Sequence, residues 1–292
     1  MVHVIGHRGL RNEKPENSLI AILEALRLQG IQGVEFDVEL TRDKQPVVLH
    51  QETVIPNSDF TRLGPAARDF ISRDWVIETF AETILNMDAG SWMGSEFAGL
   101  KVPALEEILK LPWGQTTAYV ELKDATYWGK RDKARPAQIV EAALPYLTAF
   151  SGSINVISFN PEILYELHRN APHIPTTLAL WTEWRARINE AIAEAKNCRA
   201  SIISLPDIVV LGDPDWIKAV HQQAMNIHVY PVSPARGEPE FLKWTASSQI
   251  DKWQNLNKLG VDAIISDFAR ETLNILNPDQ AGLTAGLTAG TP

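Results

Sequence analysis

Short β-branched runs alternate with amphipathic stretches along most of the chain, the pattern of repeated βα units around a parallel sheet. Eight runs read as strands: His3 to His7, Val34 to Val38, Ala118 to Lys123, Asn155 to Phe159, Thr176 to Leu180, Ser201 to Leu205, Ile227 to Val232 and Ala263 to Asp267. Eight strands close a (β/α)₈ TIM barrel, which takes about 250 residues. A doubly wound open sheet is the competing architecture, because Ile208 to Leu211, beside the sixth run, is also strand-like. Helical spacing fills most gaps. Ser18 to Leu28 sets Leu19, Ile22, Leu23 and Leu26 on one face, and Pro161 to Arg169 opens with proline in its first turn.

One further apolar run, Pro46 to His50, follows Leu40 too closely for a helical crossover, so it reads as the return arm of a hairpin. A turn centred on Asp43 and Lys44 sets His50 opposite Asp37 and brings it to the barrel mouth. From Gln51 to about Pro112 the βα rhythm lapses, with Pro56, Pro65 and Pro103 and the aromatics Phe60, Trp75, Trp92 and Phe97 scattered through it. Residues 51–112 are therefore expected to form a helical or irregular cap inserted after the second barrel strand, either a substrate lid or a packing appendage. One domain over 1–275 is expected. Residues 276–292, which include the Ala-Gly-Leu-Thr repeat from Ala281, are expected to be a flexible tail.

The composition narrows the function classes. With 292 residues, 45% of them hydrophobic and 22% charged, the chain can bury a sizeable core. A formal charge of −9 offers no cationic footprint for a phosphate backbone, so nucleic acid is not an expected partner. Cys198 is the single cysteine, which excludes an internal disulfide and suits a small buried hydrophobe. No run approaches the roughly 18 apolar residues of a membrane span, and the first residues lack a secretory pattern, so a cytoplasmic protein without stable membrane insertion is expected. Oligomeric state is not legible.

In a (β/α)₈ barrel the informative residues close each strand at its C-terminal end. Here the first strand ends in His7-Arg8-Gly9, the second in Glu35-Phe36-Asp37, the third in Glu121-Leu122-Lys123, and the hairpin returns His50. Glu35 and Asp37, two apart on a strand, share a face. Three acids crowded at one mouth repel unless a hard divalent cation, Ca²⁺ or Mg²⁺, sits among Glu35, Asp37 and Glu121. The alternative is a metal-free cluster neutralised by Lys123 and Arg8. His7 and His50 form a pair able to exchange protons near neutral pH, while Arg8 and Lys123 offer fixed positive charge to a phosphodiester. Glu16 reads as a brace for Arg8 or a helix cap, with Asn17 the stronger cap. His168 and His221 read as surface residues.

Gly6-His7-Arg8-Gly9, Pro15-Glu16-Asn17-Ser18, Glu35-Phe36-Asp37-Val38, Val47-Val48-Leu49-His50 and Glu121-Leu122-Lys123 resemble, in order, the signatures of the glycerophosphodiester phosphodiesterases. Asp88 to Trp92, Val102 to Glu107, Ser158-Phe159 and Gly260 to Asp267 extend the likeness over residues 3 to 270. The resemblance implies a barrel with an inserted cap and a divalent cation on Glu35, Asp37 and Glu121. It further implies hydrolysis of glycerophosphodiesters to glycerol 3-phosphate and an alcohol through a cyclic phosphate. His7, His50, Arg8 and Lys123 would be catalytic, with Arg8, Lys123, Phe159 and Tyr230 binding substrate. Gln51-Glu52-Thr53-Val54 after His50, and Tyr230-Pro231-Val232-Ser233 near the seventh strand, depart from the family pattern along the substrate wall. Rival readings are a lysophospholipase D, a lyase that stops at the cyclic phosphate, a non-catalytic phosphate- or metal-binding barrel, and a metal-dependent aldolase.

Overall fold

A computed structural model describes residues 2–50, 75–124, 135–232 and 244–277. Its strands are β1 (His3–Gly6), β2 (Gly33–Leu40), β3 (Pro46–Val48), β4 (Thr117–Leu122), β5 (Ile154–Ser158), β6 (Thr176–Ala179), β7 (Ile202–Pro206), β8 (Asn226–Tyr230) and β9 (Ala263–Ser266). All but β3 pair in parallel, β1 with β2, β2 with β4, onward to β9, and β9 back to β1. The closed ring makes the protein a (β/α)₈ barrel rather than an open sheet. All eight expected strands are present, with ends moved by one or two residues.

Alternation along each strand separates two cores. Val34, Phe36, Val38 and Leu40 on β2, and Ala118, Val120 and Leu122 on β4, point outward into the main cluster beneath the helices. A smaller cluster of Ile5, Tyr119, Ile157, Ala179, Ala263 and Ile265 fills the barrel interior. Because side chains alternate, Glu35, Asp37, Glu121 and Lys123 lie on the interior face. Cys198 is buried in the outer cluster, as a small hydrophobe should be. Among the described residues no helix is long and apolar enough to cross a membrane.

Four local expectations are corrected. Ile208 to Leu211 is helical, within α7 (Asp207–Gly212), numbering the helices in chain order from α1 (Leu19–Leu26) through α2 (Ala81–Leu85), α3 (Leu105–Leu109), α4 (Arg135–Ala149), α5 (Pro161–Asn170) and α6 (Ile188–Asn197). Helix α1 buries Ala21, Ile22 and Ala25, while Leu19 is exposed. The small residues face inward because the chain after β1 runs against them: a Cβ on Gly9 would stand 2.5 Å from the Ala21 carbonyl carbon. Ser18, not Asn17, caps this helix, accepting from the Ala21 N–H.

The fourth correction concerns the hairpin. It turns over three residues rather than two, with Lys44 donating to the Thr41 carbonyl at 3.0 Å and adopting φ 62°. Val38 therefore faces Val48, and the Leu49 N–H, not His50, meets the Asp37 carbonyl at 3.0 Å. A slip of one residue would turn His50 to the wrong face if the ladder continued. It stops at Val48, and the chain bends at His50.

The described part of the expected cap, from Trp75 onward, wraps this hairpin. Val47 packs with Val76, Ile84, Ala89 and Val102, and the Val48 N–H donates to the Pro103 carbonyl at 2.8 Å. Helix α3 buries Leu105 and Ile108 in the barrel's outer cluster. Residues 51–74, with Phe60, Pro65 and the Gln51 to Val54 departure, lie outside the described residues, as do Ser233 and the tail from residue 278.

Candidate active site

The strand ends bring the sequence-derived residues to one mouth. β2 and β4 run in register, so that Asp37 lies beside Glu121. Ligand atoms of Glu35, Asp37 and Glu121 fall within 4.8 Å of one another, and all three acids are buried. Lys123 Nζ stands 2.9 Å from Asp37 Oδ1 and 2.7 Å from Glu121 Oε1. Arg8 takes a left-handed backbone, φ 54°, that aims its N–H at Glu35 Oε2 (2.9 Å) while its guanidinium reaches Asp37 Oδ2 (3.2 Å) and Glu16 Oε1 (3.0 Å). His7 Nε2 lies 3.9 Å from Glu35 Oε2. His50 is half-buried, close enough for its ring to act electrostatically on Asp37 and to feel Arg8, Lys123 and His7.

Burial and the neighbouring charges split the titrations. Burial pushes the Glu35 carboxyl well above the ordinary range, and repulsion from Asp37 and Glu121 adds to it. Burial acts on Asp37 in the same direction, but Lys123, then His50, Arg8 and the Asn17 amide, hold it well below the usual carboxylate range. Burial also raises Glu121 against the pull of Lys123. Both imidazoles are pushed down, His7 by burial and Arg8, His50 further by burial, Arg8 and Lys123. The mouth thus favours neutral imidazoles beside a mixed set of acids.

The Glycerophosphoryl diester phosphodiesterase family model matches residues 7–271, from the first of these histidines into the helix Ala269–Leu276. The chain belongs to that family. It is 28% identical to a glycerophosphodiester phosphodiesterase of Caldanaerobacter subterraneus, over 94% of this chain and 97% of the relative. To the corresponding protein of Bacillus subtilis it is 25% identical, over 86% and 84%. In fold it is similar to an Oleispira antarctica phosphodiesterase solved with the product sn-glycerol-3-phosphate, at TM-score 0.74 and 20% identity over 94% of this chain and 96% of that one.

This member of the phosphodiesterase family also holds residues that sequence reasoning missed. Asn17, expected as a cap, instead braces Asp37: its Nδ2 donates to Asp37 Oδ2 at 2.8 Å and its Oδ1 accepts the Asp37 N–H at 3.1 Å. Arg11 bridges Glu16 and Asp267, at 3.0 and 3.1 Å. Asp267 closes the last barrel strand and contacts His7 Nδ1 at 2.5 Å, so the strand-end rule was the signal that would have found it. Across the mouth, Phe159 stacks on Trp181 at 4.0 Å and meets Tyr230 edge-on at 5.9 Å. Trp181 sits two residues beyond the end of β6, outside the reach of that rule.

Proposed function

We propose that this protein hydrolyses glycerophosphodiesters to glycerol 3-phosphate and an alcohol, with residues 1–275 working as one domain. The observation that carries the reading is the convergence of two imidazoles, three acids and two fixed cations on one barrel mouth in a member of this family.

Glu35, Asp37 and Glu121 are the residues that would hold a divalent cation, and they fit one. Ion pairs with Lys123 and Arg8 account for Asp37 and Glu121, whereas Glu35 Oε1 is buried with no hydrogen-bond partner. An all-oxygen acidic donor set suits a hard ion, Ca²⁺ or Mg²⁺. When bound, such an ion draws negative charge from a phosphoryl oxygen.

The rest falls to the chain's own side chains. Arg8 and Lys123 hold the phosphate and meet the charge that develops on its equatorial oxygens. One imidazole of the His7 and His50 pair takes the proton of the substrate's glycerol hydroxyl as that oxygen bonds to phosphorus. The other gives a proton to the departing alcohol oxygen. Reversing the two roles lets water open the resulting cyclic phosphate. Phe159 and Tyr230, with Trp181 beside them, form the wall against which the alcohol portion lies. A lysolipid substrate and a silent binding barrel draw no support from a specific observation.

The test is turnover of glycerophosphocholine by the purified protein. His7→Ala and His50→Ala should each lower kcat by about 10²-fold or more with an unchanged circular dichroism spectrum. Chelator should abolish activity, and Ca²⁺ or Mg²⁺ should restore it. Full activity in either variant, or indifference to chelator, would refute the proposal.

A further inference from the structure

The last barrel strand delivers a carboxylate that the reaction above leaves without a task. Asp267 is 5% exposed, and donors surround it on both oxygens. Its Oδ1 meets His7 Nδ1 at 2.5 Å and Arg11 Nη1 at 3.1 Å, while its Oδ2 accepts from Trp244 Nε1 at 2.9 Å. Arg11 is held in turn by Glu16, which also grips Arg8, so the network ties His7 to the guanidinium at the mouth.

We infer that Asp267 is a positioning residue that fixes His7 in the tautomer with Nδ1 protonated, which leaves Nε2 to exchange a proton with substrate. A carboxylate only accepts, so the short contact to Nδ1 requires the proton on that nitrogen. Arg11 Nη1 also stands 3.5 Å from Nδ1, but that contact lies at the outer limit of a hydrogen bond, longer than both the Arg11–Asp267 bond at 3.1 Å and the Asp267–Nδ1 contact at 2.5 Å. The remaining nitrogen, Nε2, is the one on the Glu35 side, toward the acids. His50 has no equivalent: its Nδ1 is buried without a hydrogen-bond partner. The two imidazoles therefore differ at Nδ1, where His7 has an anion behind it and His50 has no hydrogen-bond partner.

The geometry also requires an anion rather than an amide. Arg11 and Trp244 can only donate, and they approach opposite oxygens of Asp267. Asparagine would turn its NH₂ toward one of them in either orientation.

The role of Asp267 rests on the phosphodiesterase reading, but the two can fail separately. Nitrogen-15 NMR of histidine-labelled protein at pH 8, with the His7 signals assigned through His7→Asn, reads the tautomer without turnover. The wild type should show Nδ1 protonated and Nε2 bare. In Asp267→Asn the ring should become a mixture of tautomers, kcat should fall about 100-fold or more, and KM should stay within about twofold. Trp244→Phe, which keeps the carboxylate, should retain the tautomer and lose less than about tenfold in kcat. A wild-type His7 protonated on Nε2, or an Asp267→Asn variant with kcat within about threefold of wild type, would overturn the inference. An inactive wild type with the expected tautomer would instead sink the phosphodiesterase reading and leave the positioning of His7 standing.

Discussion

The two halves of the barrel interior are built on opposite principles. Along β1, β2 and β4 the inner positions at the mouth carry His7, Glu35, Asp37, Glu121 and Lys123, with Arg8 folded in from the loop. Along β5 to β8 the same face carries Asn155, Thr177, Ser204 and His228, then Phe159 and Tyr230 at the rim, with no charged side chain. Buried charge is tolerated only where each ion has partners; shared ion pairs supply them for Arg8, Asp37, Glu121 and Lys123, while Glu35 keeps one oxygen unpartnered. In the neutral half Thr177 Oγ1 donates to Asn155 Oδ1 at 2.7 Å, while Ser204 Oγ and His228 Nδ1 are buried with no hydrogen-bond partner, which uncharged groups tolerate at lower cost than ions would. On the proposed function, such a division would give proton and phosphate chemistry to one wall and shape recognition to the other, and three perturbations test it.

The largest effect should come from Lys123→Met. Removing the ammonium leaves Asp37 and Glu121 buried side by side with one cation fewer. Breaking a buried ionic pair from one side costs about 3–5 kcal/mol, because the partner charge stays desolvated. In chelator, denaturant titration should register a loss of about 3 kcal/mol, and kcat with added cation should drop by about 10²–10³-fold. Activity within about tenfold of wild type would show that the charged half does not depend on this lysine.

The neutral half should respond to acid. His228, 3% exposed and edge-on to Tyr119 at 5.7 Å, is pushed down to about 4 by burial. Above pH 6.5 it is neutral in both folded and unfolded chains and contributes nothing to the pH dependence. Between 6.5 and about 4 only the unfolded chain takes up a proton at this site, so stability declines as pH falls, by roughly 3 kcal/mol across the window. His228→Met should flatten that part of the curve relative to wild type. Identical pH profiles for the two proteins would mean that His228 takes up its proton in the folded barrel as readily as in the unfolded chain.

What was legible in the sequence follows from how each feature is encoded. Alternation and strand-end chemistry are local, so eight strands and the residues His7, Glu35, Asp37, Glu121 and Lys123 could be read directly. The hairpin register depended on whether two or three residues made the turn, and Arg42-Asp43-Lys44 carries no glycine to announce the left-handed Lys44. Helix α1 misled for a tertiary reason. Its leucines look like the buried stripe, but the close approach of Gly9 favours the alanine face. Asn17 was legible as a polar residue at a helix start, while its bond to Asp37 depends on a φ of 59° that no pattern reveals. Asp267 obeyed the strand-end rule. Its partners Arg11 and Trp244, however, come from segments outside the strands, and only the folded chain brings them together.

The smallest effect, and the sharpest discriminator between the halves, should come from Trp181→Ala. Trp181 is 37% exposed and lies face to face with Phe159, itself braced edge-on by Tyr230, whose hydroxyl donates to the Leu180 carbonyl at 2.7 Å. The tyrosine is thereby fixed, and the tryptophan is the ring with area to offer a substrate. An aromatic contact of this kind is worth about 0.5–1.5 kcal/mol beyond buried area, so its loss should raise KM by about 2- to 10-fold. The size of the change should vary with the alcohol portion of the diester, while kcat stays near wild type. A panel of glycerophosphodiesters differing only in that alcohol measures both parameters at once. If Trp181→Ala instead lowered kcat uniformly across the panel with KM unmoved, the neutral wall would be acting in the chemical step, and the division between the two halves would not hold.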